Sequence, residues 1–124
     1  MIVKLSDQFL LDVYQSCDLV ILPIRNSTQP SGQSVAIQSM SSGTPVIMTK
    51  TIGFWDNEKY IDSENIFFVD DQKLETWDIK FNQILSNLNN LASISKKARK
   101  LVEDEHNLNK FILNLNNYLV DIEL

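Results

Sequence analysis

The sequence of 124 residues predicts an α/β fold: a parallel sheet of about four strands, flanking helices and a helical C-terminal tail. Three observations carry that expectation. Leu19–Leu22, Val46–Met48 and Ile66–Val69 are apolar runs without alternation, the pattern of strands covered on both faces. Helical periodicity separates the first two runs, so strand and helix alternate as in βαβ units with right-handed crossovers. After residue 72 only helical spacing remains, which sets off a tail over residues 73–124 from an alternating core over residues 1–72. The chain reads as a single domain.

In order, residues 2–5 read as a short strand. Ser6 is placed as the N-cap of a helix, with Asp7 at its positive end. Phe9, Leu10, Val13, Tyr14 and Cys17 recur at helical spacing and form one apolar face. Cys17 on that face reads as a core residue. Pro23 stops the Leu19–Leu22 strand, a polar loop runs from Arg25 to Pro30, and Ser31-Gly32 opens a second helix that reaches about Ser42. Gly43 ends that helix in the left-handed position and Pro45 prevents its continuation. Residues 57–61 suggest a single helical turn before the Ile66–Val69 strand. Trp77, Phe81, Ile84, Leu85 and Leu88 mark one tail helix, Ala98, Leu101 and Val102 a second. Phe111, Ile112, Leu115, Leu119 and Ile122 mark the last. No internal repeat is present.

Composition narrows the function classes. A formal charge of -5 and a pI near 4.7 argue against a nucleic-acid surface, which needs concentrated basic charge. Leu19–Leu22 is far too short to span a membrane. No basic-then-apolar leader opens the sequence, so the expected location is cytoplasmic. One cysteine forms no internal disulfide, and its flanks lack metal-ligand spacing.

The most informative stretch runs from Asp18 to Thr49: strand, polar loop, Ser31-Gly32, helix, Gly43-Thr44-Pro45, strand. A helix that starts directly after a sheet strand aims unpaired N–H groups and the positive end of its dipole at the mouth of the sheet. Ligands of open parallel sheets sit at that mouth. Gly32 has no side chain to block an anion from the amides of residues 32–34, and Ser31 and Ser34 add hydroxyl donors. Taken alone, the same residues read sooner as a small-residue turn capped by Ser31 with no ligand.

Linked motifs weigh on that choice. Asp18-Leu-Val-Ile-Leu-Pro23, the Ser31–Met40 helix start and Gly43-Thr44-Pro45-Val46-Ile47 occur in an order that resembles the donor-binding domain of family-4-type retaining glycosyltransferases. Leu11, Tyr14, Cys17 and Asp18 are similar to the preceding helix of that family, and Asn65–Val69 to a later strand. The resemblance covers roughly residues 2–72. It implies the C-terminal, Rossmann-like domain of a GT-B enzyme, a UDP- or GDP-linked sugar as donor, retaining hexosyl transfer, and no metal or further cofactor. It places the donor phosphates on Ser31, Gly32, Gln33 and Ser34 and the ribose on Gln38.

Two departures qualify the resemblance. The family carries glutamates eight positions apart around this helix start; here those positions are Pro30 and Gln38, and no glutamate precedes Glu58. Gln38 can hydrogen-bond a ribose hydroxyl without charge assistance, whereas Pro30 offers no side-chain hydrogen bond. The length leaves no room for an acceptor domain, and only Lys4, Arg25 and Lys50 bring positive charge near the motif. The sequence therefore singles out no catalytic residue and predicts a donor-binding portion that is inactive alone, completed by a missing N-terminal half or by a second copy. The other reading is a degenerate, non-catalytic binding or assembly module. His106 reads as a solvated helix-end residue, Asp70-Asp71 as a helix-start turn, and Phe54 and Trp55 as packing or an interface.

Overall fold

The computed structural model describes residues 6–122. The elements are α1 (Asp7–Ser16), β1 (Val20–Leu22), α2 (Gln33–Ser41), β2 (Val46–Thr49), a 3-10 turn (Asn57–Lys59), β3 (Phe67–Val69), α3 (Leu74–Leu85), α4 (Asn90–Glu105) and α5 (Leu108–Asp121). The three strands pair in parallel in the order β1-β2-β3, with Ile21 opposite Ile47 and Met48 opposite Phe68. The alternating core and the helical tail are as expected. The fourth strand expected at residues 2–5 lies outside the described residues.

The missing alternation in the strands has a direct cause. Successive residues of β2 point to opposite faces, and each face is covered. Val46 and Met48 pack with Ala36 and Met40 of α2 and with Ala98 and Val102 of α4. Ile47 packs on the other face with Trp77 and Ile84 of α3 and with Ile94 at the start of α4. All four residues of β2 are buried, including Thr49.

The helix ends follow from their residues. Ser6 Oγ accepts the Phe9 N–H at 3.2 Å and caps α1. Gly43, at φ 85°, closes α2 in a Schellman arrangement: its N–H donates to Met40 O, and the Thr44 N–H donates to Ser39 O. At α3, Asp71 Oδ1 accepts the Lys73 N–H at 2.8 Å, and that bond holds the Asp71 carboxyl below its ordinary range.

Two expected apolar faces are not core. α1 has no buried residue and Cys17 is exposed, its thiol donating only to Val13 O. α5 likewise buries nothing: Phe111, Ile112, Leu115, Leu119 and Ile122 are all exposed. Helical spacing reports that a face is apolar, but burial needs a second layer, and among the described residues none covers these two helices. Ile21 of β1 shows the same deficit at 49% exposure, because α3 covers the β3 side of its face.

Candidate functional site

The loops at the carboxyl ends of the strands are locked to one another. The Gly53 N–H donates to Ser27 O at 2.8 Å, and Gln72 Nε2 donates to Ile24 O at 2.9 Å. Phe54 anchors the loop after β2 by burying its ring edge-on against Tyr60 and Phe68. The next residue, Trp55, turns its indole outward and is 65% exposed. Of the two neighbouring aromatics expected to serve packing or an interface, Phe54 packs and Trp55 faces solvent.

α2 begins without a side-chain cap. Its N-cap is Gly32 rather than Ser31, in the left-handed region at φ 72°. A β-carbon at Gly32 would lie 2.9 Å from Ile24 Cδ1, the movable end of a side chain, so it is the left-handed backbone that calls for glycine here. The N–H groups of Gln33, Ser34 and Val35 belong to the first turn and have no intrahelical acceptor. They face the rim of a cavity of about 770 Å³ whose lining includes Gly32, Ser34, Trp55, Asp56, His106 and Phe111.

Gln33 and Gln38 are placed differently from each other. Gln33 is only 8% exposed, and its side chain is committed to the backbone of Trp55. Its Oε1 accepts the Trp55 N–H at 3.1 Å, while its Nε2 donates to Trp55 O at 3.3 Å. What Gln33 retains for a ligand is its main-chain N–H; the side-chain contact expected from sequence is already taken. Gln38 is exposed, and its Oε1 accepts the Tyr14 hydroxyl at 3.1 Å, leaving Nε2 unengaged among the described residues. It does not line the large cavity but a smaller one of about 220 Å³ with Leu10, Tyr14 and Ser42. Ser34 and Gln38 are one turn apart on the same exposed face of α2.

The far wall of the large cavity is the α4–α5 corner. There Lys59 Nζ meets Glu105 Oε2 at 2.8 Å, and the bond lowers the Glu105 carboxyl. Burial pushes the Tyr60 phenol up to about 12, and its hydroxyl is hydrogen-bonded to His106 Nε2 at 2.5 Å. His106 is exposed at the end of α4, as expected, but is tethered rather than free. Its link to Tyr60 crosses 46 positions of sequence and leaves no local signal. No group of three His, Cys, Asp or Glu side chains suited to a metal occurs among the described residues, and no helix there is long and apolar enough to cross a membrane.

No protein-family model and no curated protein matches the sequence. Solved structures do match. The C-terminal domain of a glycosyl transferase group 1 family protein (LpcC) from Francisella tularensis aligns with 87% of this chain at TM-score 0.67 and 21% identity. HepE from Anabaena, in complex with UDP and glucose, aligns with 91% at TM-score 0.71 and 19% identity. Sucrose-phosphate synthase from Thermosynechococcus elongatus aligns with 97% at TM-score 0.74 and 25% identity. The chain thus has the Rossmann-like fold of the C-terminal domain of GT-B glycosyltransferases. It spans 53%, 30% and 29% of those three chains, respectively.

Proposed function

We propose that this chain is the nucleotide-sugar-binding portion of a retaining hexosyltransferase, with a UDP- or GDP-linked hexose as donor. The observation that carries the reading is the uncapped start of α2, where a left-handed glycine presents free N–H groups at the carboxyl end of a parallel sheet. The solved complexes of the similarly folded HepE with UDP and with UDP-glucose support it. The amides of Gly32, Gln33 and Ser34, with the Ser31 and Ser34 hydroxyls, hold the diphosphate. Gln38, oriented by Tyr14, donates Nε2 to a ribose hydroxyl one helical turn away. The working protein is cytoplasmic, and its apolar α1 and α5 faces meet either an acceptor-binding half or a second copy of this chain.

Ser34→Asp tests the site without disturbing the fold. A carboxylate in the first turn stabilises a helix by roughly 0.3–1 kcal/mol through the dipole, yet it repels a bound diphosphate. Calorimetry with UDP and GDP is expected to show at least a tenfold loss of affinity while thermal stability holds or rises. Unchanged affinity moves the phosphate elsewhere. A positive-charge-poor site with Pro30 and Gln38 in place of carboxylates also predicts that the 124 residues alone transfer no hexose. Transfer of glucose from UDP-glucose onto a sugar acceptor with release of UDP by the pure chain, lost in Gln38→Ala, would overturn that. Failure of every nucleotide to bind would favour the non-catalytic binding or assembly module instead.

A further inference from the structure

We propose that a separate cavity, of about 280 Å³ along the outer edge of β3, binds a free neutral α-amino acid by its two opposite charges. It opens between the 3-10 turn and α3, and Lys50, Phe68, Asp70, Lys80 and Gln83 are among its lining residues. None of them belongs to the start of α2, so the inference goes beyond the nucleotide-sugar reading and does not rest on it.

Strand register places the charges. Thr49 pairs with Val69, and the Lys50 N–H donates to Val69 O at 2.8 Å. Lys50 and Asp70 therefore stand opposite each other just past the paired ends of β2 and β3. Neighbouring strands run about 4.8 Å apart, near enough for the two side chains to meet. Yet they form no ion pair. The Lys50 ammonium lies instead over the Phe68 ring, 5.8 Å from its centre, and both charges face the cavity unpaired among the described residues.

The other two charges of the lining are engaged. Lys80 Nζ donates to both Asp62 oxygens, at 2.8 and 2.6 Å, and Asp62 Oδ1 also accepts the Phe68 N–H at 2.7 Å. Two cations and two anions make the lining neutral, which suits a zwitterion better than a lone anion or cation. The main chain adds to the match. Val69 faces β2, so Phe68 turns its own main-chain groups outward from the sheet edge. Its carbonyl meets no donor among the described residues. An α-ammonium has three donors to place, and Asp70 and the Phe68 carbonyl accept them. An α-carboxylate needs donors, and the Lys50 ammonium and the unengaged Gln83 amide supply them. The volume falls just below the roughly 300–1,000 Å³ of pockets for drug-sized ligands, so it admits an amino acid and excludes a nucleotide sugar.

Titration of the whole 15N-labelled chain with leucine, serine and glutamine, followed by NMR, tests this. At least one of the three is expected to bind and to shift the amides of Lys50, Asp70 and Gln83. The N-acetyl and α-carboxamide derivatives of that amino acid each lack one charge and are expected to bind at least tenfold more weakly. Lys50→Met and Asp70→Asn are each expected to cost tenfold or more, while Lys96→Met, at an exposed site on α4, binds as wild type. The blocked derivatives are read on the wild-type protein, so the test stands even if a variant folds poorly. No binding of any of the three amino acids overturns the site, as do shifts confined to other residues. Undiminished binding of the derivatives, or an equal loss in Lys96→Met, overturns it too.

Discussion

Thr49 ends the central strand with its side chain almost wholly buried, and its hydroxyl finds no partner among the described residues; Thr51 repeats the arrangement two positions on. A buried hydroxyl without a hydrogen bond costs roughly 1–3 kcal/mol in desolvation. Valine keeps the branched shape at Thr49 and removes that group. Thr49→Val is therefore expected to raise stability by about 1 kcal/mol in a chemical denaturation experiment. A comparable loss would show that the hydroxyl is satisfied in solution. Gln33 makes the opposite residue-scale point. Its side chain is buried with both amide heteroatoms bonded to the Trp55 backbone, so its value lies in positioning Trp55 rather than in touching a ligand.

At the scale of elements, the strand-end loops are fastened by close backbone approach. A β-carbon on Gly53 would come within 2.2 Å of Gln29 O, and the obstacle is main chain, not a flexible side chain. Gly53→Ala must push the 26–29 loop off the 50–54 loop. A loss of about 2–3 kcal/mol is expected, at the upper end of overpacking costs, read from the denaturation midpoint. Gly43→Ala serves as the comparison: nothing lies within 4 Å of its β-carbon, so only the left-handed backbone opposes it, for about 1–2 kcal/mol. Equal effects of the two would mean that the loops are not packed as described.

For the whole molecule, the notable quantity is unpartnered apolar surface. Phe9, Val13, Ile21, Phe111, Leu115 and Leu119 are all more than a third exposed and lie on three separate elements. Phe9 and Val13 share one face of α1, and Phe111, Leu115 and Leu119 one face of α5, and apolar faces left exposed in this way mark an interface. β1 adds an unpaired edge among the described residues, a feature that stable proteins cover. The purified 124-residue chain is expected to form a symmetric dimer at micromolar concentration, measured by light scattering coupled to size exclusion. A monomer at all concentrations, with slow exchange of the residue 19–22 amides, would show that the sheet edge is closed within one chain.

Local patterns settled much of this protein. Unalternating apolar runs announced parallel strands, fully buried at β2 and β3 though not at β1, Gly43 and Pro45 announced the end of α2, and Ser31-Gly32 announced its start to within two residues. Each depends on neighbours in sequence, where backbone sterics and periodicity act directly. Tertiary structure decided what depends on a second layer or a distant partner. Periodicity made α1 and α5 apolar on one face, but only the fold shows those faces uncovered. Adjacent aromatics at 54 and 55 look alike in a sequence; in the loop after β2 the ring of Phe54 packs on Tyr60 and Phe68, while Gln33, 22 positions away, grips the backbone of an exposed Trp55. The cavity joins residues of the α2 start to residues beyond position 100 because α4 packs against α2, a long-range contact with no signature in the local chemistry of either segment.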